Sequence, residues 1–275
     1  MSRLPVNGCA YHVEIGGTGP PLVALHGFTG SAETWAPFRA AFGRQFTLIA
    51  IDLLGHGRTE CPPDPRRYRM DRTIEDLVAI LDRLGLARVD LLGYSMGGRV
   101  ALHVAVAAPD RIHTLALEGA SPGIPLATDR AARARSDSVL ADLIEGEGIE
   151  AFVERWEQVP LFASQRGLPA EVRAALRCQR LRGNPLGLAN SLRGIGAGDV
   201  EPLLDRLGQV SAPTLLIVGA FDEKYRALGR EMAGRLPTAT LAVVPGAGHA
   251  VHLEQPDVFT KIVLEFLEQF RPAGA

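Results

Sequence analysis

Residues 89–108 read VDLLGYSMGGRVALHVAVAA, and they are the most informative stretch of the chain. An apolar run ends in a G-x-S-x-G turn that places Ser95 between Gly93 and Gly97, and a helical pattern follows the turn. A serine on so tight a strand-to-helix turn has unusual backbone angles, and the residues two positions away on each side must lack Cβ atoms. The helix that follows directs its positive end at Ser95 and at any anion bound there. The stretch therefore predicts a reactive serine, Ser95, at the carboxyl end of a strand.

Short apolar runs and helical patterns alternate through much of the remaining chain. Runs such as LLIV at 215–218 are apolar at every position, as expected of strands covered on both faces. This alternation predicts an α/β fold, with a mostly parallel sheet and helices on both of its faces. The predicted strands span residues 11–15, 22–25, 46–51, 89–92, 114–117, 214–218 and 240–244, and the predicted helices span 32–42, 73–84, 96–107, 225–236 and 257–270.

Residues 121–209 interrupt the alternation. They contain helical periods punctuated by prolines and no convincing strand, and they are too long for one crossover connection. A helical insertion at the carboxyl side of a parallel sheet lies over the crevice where ligands bind. We therefore predict a helical cap at 121–209, inserted into a core formed by 1–120 and 210–275.

The composition limits the class of protein. The chain has 275 residues, of which 47% are hydrophobic and 22% charged, and these values exclude disordered, collagen-like and coiled-coil chains. The 29 basic and 31 acidic residues give a net charge of −2, which gives no support for a nucleic-acid partner. No apolar run is long enough to cross a membrane, and the first residues, MSRLPVNGCAYHVEIGG, lack a signal-peptide pattern. We therefore expect a cytoplasmic protein with no membrane partner.

Cysteine and histidine spacings give no pattern typical of a metal site. Cys9, Cys61 and Cys178 are far apart and form no C-x-x-C motif, which argues against a disulfide framework and against zinc. His249 and His252 are three residues apart, but the further ligands that zinc needs are not apparent in the sequence. We therefore expect no metal.

An activated serine needs a base, and the base needs a carboxylate that orients it. Asp222 follows the run TLLIVG, and His249 lies in the loop PGAGH after the run TLAVV, so both follow the carboxyl ends of predicted strands. We predict that Asp222 orients His249 and that His249 activates Ser95. The alternatives that remain open are Glu223 or Glu118 as the acid, His252 as the base, and a turn or N-cap role for Asp222.

Negative charge that develops during catalysis needs hydrogen-bond donors. The residue after the serine, Met96, supplies one backbone N–H, and the loop LHGFTG after an early strand supplies the other, which we assign to Phe28. We expect His26 and His56, in two Gly-rich loops, to bond neighbouring loops rather than to perform chemistry.

Arg99 is the cation nearest to Ser95 in the sequence. It lies four residues further along the same predicted helix, about 40° around the axis from Ser95. A cation in the first turn of a helix opposes the helix dipole, and a bound anion offsets that cost. We therefore predict that Arg99 binds an anionic substrate, with a structural ion pair to an acidic loop residue as the alternative.

Five motifs together resemble the α/β-hydrolase superfamily over residues 10–270. They are HGFTGS at 26–31, DLLGHG at 52–57, GYSMGG at 93–98, the pair Asp222–Glu223 after a strand, and PGAGH at 245–249. Longer stretches, among them LHGFTGSAETW, IDLLGHGRTECP, FVERWEQVPLFAS and NPLGLANSLRGIG, resemble the 2-succinyl-6-hydroxy-2,4-cyclohexadiene-1-carboxylate synthase family of menaquinone biosynthesis. The resemblance implies a lyase that eliminates pyruvate from 2-succinyl-5-enolpyruvyl-6-hydroxy-3-cyclohexene-1-carboxylate, with no metal or organic cofactor.

The same resemblance implies which side chains bind this tricarboxylate, the small-molecule partner that we expect. Arg133 and Arg182 match carboxylate-binding positions of the family, Trp156 matches an aromatic pocket residue, and Tyr94 lies beside the serine. The alternatives are Arg130 or Arg135 in place of Arg133, and plain packing for Trp156.

Three functions remain open from the sequence. In the lyase, Ser95 gives its proton to His249 and then removes the ring proton that starts the elimination. The alternative enzyme is a serine hydrolase that cleaves small esters, or C–C bonds in ring-cleavage products, through an acyl intermediate. The third is a non-enzymatic binding module on the same scaffold. The sequence does not decide between a monomer and a homo-oligomer.

Overall fold

The computed structural model describes residues 2–271. Within these residues eight strands form one sheet in the order β1-β2-β4-β3-β5-β6-β7-β8. β1 and β2 are antiparallel to their neighbours, and the six strands from β3 to β8 run parallel, which confirms the predicted α/β fold class. The strands are β1 (Ser2–Val6), β2 (Cys9–Gly17), β3 (Pro21–Leu25), β4 (Thr47–Ile51), β5 (Val89–Tyr94), β6 (Ile112–Glu118), β7 (Thr214–Gly219) and β8 (Ala239–Val244).

Nine α-helices accompany the sheet in the described part of the chain. They are α1 (Arg39–Phe42), α2 (Met70–Arg83), α3 (Met96–Ala107), α4 (Ala127–Trp156), α5 (Ala170–Leu181), α6 (Pro185–Ile195), α7 (Glu223–Ala233), α8 (Val251–Glu254) and α9 (Pro256–Gln269). The predicted helix at 32–42 is instead a 3₁₀ helix, Ala32–Phe38, followed by the short α1. Pro37 lies inside this segment and has no N–H to donate, which disfavours a continuous α-helix. None of the helices in residues 2–271 is both long and apolar enough to cross a membrane.

The strand order determines where the ligand-binding crevice of the sheet lies. The chain enters the middle of the sheet at β3, pairs β4 on one side of it and then returns to pair β5 on the other side. Connections therefore leave β3 and β5 in opposite directions, and ligands of such sheets bind where the carboxyl ends of these strands diverge. The loop after β3 begins at His26, and the turn after β5 carries Ser95.

Apolar side chains cover both faces of the sheet. One buried layer contains Leu77 of α2 and Val100 of α3, and the other contains Trp35 and Phe259 of α9. Large side chains of this kind contribute about 1.5–3 kcal/mol each when they are fully buried. The parallel strands are therefore fixed from both sides, which holds the loops at their carboxyl ends in place.

The segment 121–209, called the cap below, contains helices and turns and no strand. Its longest helix, α4, is kinked at Gly148, where φ is +87°. α4 packs on α6, and Ile144 and Phe152 of α4 share a separate apolar cluster with Leu188 of α6. The cap thus has a small core of its own.

Candidate active site

The turn after β5 holds Ser95 in a strained conformation. Its φ of 52° and ψ of −108° are rare for a residue with a side chain, and its N–H donates to the Glu118 carbonyl at 2.8 Å. A Cβ atom at Gly93 would lie 2.5 Å from the Gly97 carbonyl oxygen, and one at Gly97 would lie 2.4 Å from the His26 carbonyl oxygen. Neither glycine has a positive φ, so the turn needs them because backbones approach closely there.

Three side chains from three strand ends form a hydrogen-bonded chain. His249 Nε2 lies 2.9 Å from Ser95 Oγ, and His249 Nδ1 lies 2.8 Å from Asp222 Oδ2. A carboxylate only accepts, so Nδ1 carries the proton and Nε2 accepts from the serine hydroxyl. Asp222 Oδ1 accepts from the Tyr225 N–H at 3.2 Å, which fixes the carboxylate at the start of α7. The geometry suits transfer of the serine proton to His249.

The alternative acid and base pair with each other. Glu118 Oε2 accepts from His252 Nδ1 at 2.9 Å, and Glu118 Oε1 accepts from the His252 N–H at 2.9 Å. Both side chains are buried, and the Tyr94 ring lies edge-on to His252, with ring centroids 4.6 Å apart. Glu223 is exposed. Glu118 and His252 therefore form a second carboxylate–imidazole pair that makes no hydrogen bond to the Ser95 hydroxyl within residues 2–271.

Ser95 opens into a cavity of about 720 Å³ between the sheet and the cap. Aromatic rings form one wall, where Trp156 lies 5.3 Å from both Phe28 and Phe162, centroid to centroid. Phe162 in turn lies 6.1 Å from the His249 ring. Tyr94 also lines the cavity. The volume lies within the range of sites for small molecules.

The two residues predicted to stabilise a developing negative charge, Phe28 and Met96, both line the serine cavity. Met96 is the first residue of α3, so its N–H has no acceptor within the helix. Phe28 lines the same cavity from the loop after β3. That loop lies so close to the Tyr94 ring that a Cβ atom at Gly27 would be only 2.7 Å from it, so the position requires glycine. Donation by these two N–H groups to a negatively charged oxygen stays a prediction.

Arg99 is buried and faces the cavity without an acidic partner. It is 8% exposed, and its Nη2 donates to the Ile195 carbonyl at 2.8 Å, while its Nε has no acceptor. No carboxylate of residues 2–271 forms an ion pair with it, so the structural ion pair that the sequence left open is not observed. Burial lowers the pKa of the Arg99 guanidinium. Asp137, which pairs with Arg133, favours the charged form of Arg99 without forming an ion pair with it, so the cost of burying this cation is only partly offset and an anionic ligand would lower it further.

Further charged groups line the same cavity. Arg133 does so while its Nε donates to Asp137 Oδ1 at 2.8 Å, and Asp129 is the acidic side chain on the lining. Sequence reasoning missed Lys224 and Tyr225, which also line the cavity. The available signal was their position at the start of a helix just after Asp222, at the strand edge already singled out.

Arg182 lies outside this cavity. It pairs with Glu33 and lines a different cavity between the cap and the loop after β3. Arg130, an alternative to Arg133, instead donates to the carbonyls of Ile124 and Pro125 at 3.0 and 2.7 Å. The structure thus brings Arg133 to the serine cavity and does not bring Arg182 there.

The two other loop histidines bond neighbouring loops. His26 Nε2 accepts from the Leu53 N–H at 3.0 Å, and burial lowers the pKa of His26 to about 4, so its ring is neutral. His56 Nδ1 donates to the Leu54 carbonyl at 3.1 Å. Within residues 2–271 no group of three His, Cys, Asp or Glu side chains is arranged to hold a metal ion.

Comparison with known proteins gives consistent matches. A family model described as the alpha/beta hydrolase fold matches residues 20–256. A Bacillus subtilis (strain 168) protein, provisionally named 2-succinyl-6-hydroxy-2,4-cyclohexadiene-1-carboxylate synthase, is 46% identical over 246 residues, covering 90% of this chain and 89% of that protein. The protein of that name from Salmonella paratyphi C is 34% identical over 240 residues, covering 86% and 89%. MenH from S. aureus has a structure with a TM-score of 0.91 at 35% identity, covering 95% of this chain and 99% of that one.

Proposed function

We propose that this chain, which belongs to the α/β-hydrolase fold family, is a lyase that eliminates pyruvate from 2-succinyl-5-enolpyruvyl-6-hydroxy-3-cyclohexene-1-carboxylate. The product is 2-succinyl-6-hydroxy-2,4-cyclohexadiene-1-carboxylate, which the relatives above carry in their names. The resemblance to those synthases that the motifs predict is confirmed by 46% identity over 90% of the chain. The observation that carries the proposal is the buried Arg99, which lacks an acidic partner and faces the same cavity as Ser95.

The hydrogen-bonded chain at Ser95 supplies a base. His249 Nε2 takes the hydroxyl proton while Asp222 stabilises the imidazolium that forms. The Ser95 oxygen then removes the ring proton of the substrate. The electron pair of that C–H bond forms a C=C bond, and the C–O bond to the enolpyruvyl group breaks. The departing enolate takes the proton held by the His249 imidazolium, which gives pyruvate and restores the base. Ser95 forms no covalent intermediate in this sequence.

The cavity supplies charge stabilisation and alignment. The N–H groups of Phe28 and Met96 stabilise the negative charge that develops when the ring proton leaves. The substrate carries three carboxylates, and Arg99, Arg133 and Lys224 are the cations on the cavity lining. Guanidinium groups bind carboxylates through paired hydrogen bonds, which orients the substrate so that the breaking C–H and C–O bonds align. Tyr94 and Trp156 provide apolar contact for the ring.

The proposal is tested by measuring pyruvate release from the enolpyruvyl substrate with lactate dehydrogenase as the coupling enzyme. Spontaneous breakdown of the substrate, measured without enzyme, is subtracted. We expect turnover by the wild type, none by Ser95→Ala, and normal turnover by the control Ser138→Ala, an exposed serine on α4. Wild-type rates equal to the no-enzyme rate would exclude the lyase.

The same arrangement of serine, histidine and aspartate supports a second candidate. A nucleophilic serine with two backbone N–H donors is the machinery of acyl transfer, so hydrolysis of small esters or of C–C bonds is the alternative activity. A charged Arg99 beside Ser95 is an unfavourable wall for an apolar acyl group. With p-nitrophenyl acetate, a burst followed by fast steady turnover would favour the hydrolase, and negligible rates favour the lyase.

A further inference from the structure

Tyr225 lines the serine cavity and takes no part in the proton transfers proposed above. It lies in the first turn of α7, and Leu228, three residues further along the helix, lines the same cavity. Residues three positions apart share one face of a helix, so this face of α7 forms part of the cavity wall. The Tyr225 N–H donates to Asp222 Oδ1 at 3.2 Å, which ties the start of α7 to the catalytic carboxylate.

The Tyr225 ring lies beside the catalytic histidine. Its centroid is 4.5 Å from the centroid of the His249 ring, and the two ring planes are tilted by 55°. Lys224 Nζ lies 5.8 Å from the centroid of the Tyr225 ring, within the range of a cation–π contact. These contacts hold the ring in place, so its hydroxyl needs little ordering when a ligand binds.

The Tyr225 hydroxyl makes no hydrogen bond to any residue of 2–271. The Tyr68 hydroxyl, by contrast, donates to the Pro62 carbonyl at 3.0 Å. A buried tyrosine usually has a partner for its hydroxyl. The free hydroxyl of Tyr225 is therefore available to a ligand in the serine cavity.

The charges around this hydroxyl indicate what it binds. Burial raises the pKa of Tyr225, so the hydroxyl stays protonated at neutral pH and acts as a donor. Arg99 and Arg133 oppose this rise in the pKa, so both guanidinium groups are within electrostatic reach of the hydroxyl. All three side chains line the same cavity. A donor beside two cations favours an anionic acceptor.

We propose that the Tyr225 hydroxyl binds the substrate by donating a hydrogen bond to the carboxylate that Arg99 holds. This role rests on the proposed function, because it adds a contact to the same tricarboxylate. A carboxylate has about four lone-pair positions, so it accepts a further donor after it has paired with a guanidinium. A phenol hydroxyl supplies that donor without adding a third positive charge beside Arg99 and Arg133.

The same hydroxyl disfavours an apolar ligand. An acyl chain that covers the hydroxyl and offers no acceptor leaves a desolvated donor, which is unfavourable. A site built to hydrogen-bond one group of a substrate rejects analogues that lack the group. Tyr225 is therefore a specificity-determining residue, which favours the tricarboxylate over esters of apolar acids.

Tyr225→Phe tests this role, because it removes the hydroxyl and keeps the ring against His249. Steady-state pyruvate release should show KM raised about fivefold or more and kcat within about twofold of wild type, since the lost contact holds the substrate and not the reacting atoms. The matched control, Tyr68→Phe, removes a hydroxyl outside the cavity lining and should leave KM unchanged.

The same substitution in the Arg99→Gln enzyme separates binding from a structural effect. If both side chains hold one carboxylate, Tyr225→Phe should raise KM less in Arg99→Gln than in the wild type, because contacts to a shared partner are not additive. A wild-type KM in Tyr225→Phe, or an equal rise in both backgrounds, would overturn the role of the hydroxyl and leave the lyase intact. Wild-type pyruvate release at the no-enzyme rate would instead overturn the proposed function, and the role of Tyr225 with it.

Discussion

Glu118 links the turn that carries Ser95 to the segment that carries His249. Its main-chain carbonyl accepts from the Ser95 N–H at 2.8 Å, and its carboxylate accepts from both the N–H and the ring Nδ1 of His252, at 2.9 Å each. His252 follows His249 by three residues, and the Glu118 side chain is 0% exposed. Glu118 is therefore a positioning residue. It holds the Ser95 turn through its carbonyl and the segment of His249 through His252, and it does not contact the reacting atoms.

Glu118→Gln should lower kcat with little effect on KM. Glutamine offers one oxygen, so one of the two His252 donors loses its acceptor and the loop that carries His249 shifts. We expect kcat to fall about 10- to 100-fold, because small misplacements of a catalytic group are costly. The free energy of unfolding should fall by about 1–3 kcal/mol, the usual cost of an unsatisfied buried donor.

Steady-state pyruvate release and urea unfolding measure these two effects. The exposed Glu223→Gln is the control and should leave kcat within about twofold of wild type, since its loss removes no buried hydrogen bond. A Glu118→Gln enzyme with wild-type kcat would show that the pair has no positioning role.

Arg99→Gln should raise KM markedly and change the free energy of unfolding only slightly. The substitution removes a charge-assisted contact to a substrate carboxylate, worth about 1.5–3 kcal/mol, so KM should rise about 10- to 100-fold. Loss of the hydrogen bond to Ile195 is offset by removal of a buried charge that has no acidic partner. The free energy of unfolding should therefore change by less than about 1 kcal/mol. A large loss of stability with unchanged KM would instead assign Arg99 a structural role.

Buried histidines should make the protein sensitive to mild acid. Burial lowers the pKa of His26 to about 4, of His56 to about 3 and of His103 to about 4. In the unfolded chain a histidine titrates near about 6.5, so between that pH and the folded pKa values the unfolded state binds more protons. Stability is therefore lost as the pH falls through this window, by up to about 1.4 kcal/mol per pH unit for each histidine.

His103→Gln tests the acid sensitivity at one position. Without the titrating group at 103, the loss of unfolding free energy between pH 6 and pH 5 should be about 1 kcal/mol smaller than in the wild type. Urea unfolding at the two pH values measures the difference. Equal losses in both proteins would mean that His103 takes up its proton in the folded state as readily as in the unfolded one.

Gly97→Ala should disrupt the turn beneath the serine. The new Cβ would lie 2.4 Å from the His26 carbonyl oxygen and 2.5 Å from the Leu25 carbonyl oxygen, and backbone atoms cannot move aside cheaply. We expect destabilisation of about 3 kcal/mol or more. Gly146→Ala, in α4 with open space around it, should instead stabilise by about 0.5–1 kcal/mol. Denaturant midpoints of the two variants compare them, and a small effect at Gly97 would contradict the packing argument.

Much of the central architecture could be predicted because its signals are local. The predicted helix at 96–107 coincides with α3, and the strands before Ser95 and Asp222 were found because buried parallel strands are rich in apolar residues. β8, the strand before His249, lies at the sheet edge and is partly exposed, but its run TLAVV is still largely apolar. The three side chains could be predicted to lie close together because parallel strands end at the same edge of a sheet. β1 was missed because it is a five-residue strand at the edge that contains Pro5, which weakens any strand pattern.

The positions of individual side chains in the cap could not be predicted from the sequence. Arg182 pairs with Glu33, which lies 149 residues away in the sequence, so no local sequence pattern predicts that contact. Tyr94 and Trp156 were expected at the serine cavity and line it. Arg133 faces the cavity although Arg130 and Arg135 lie on the same helix, a choice that depends on how α4 is rotated about its axis.

Ser95 and His249 are 154 residues apart in the chain, and His249 follows β8, the last strand at one edge of the sheet. β6 and β7 lie between β5, which ends just before Ser95, and β8, so the proton-transfer pair needs these four parallel strands to be assembled. During refolding, circular dichroism should recover before turnover does. Catalytic rate is therefore a stringent reporter of the assembly of the sheet from β5 to β8.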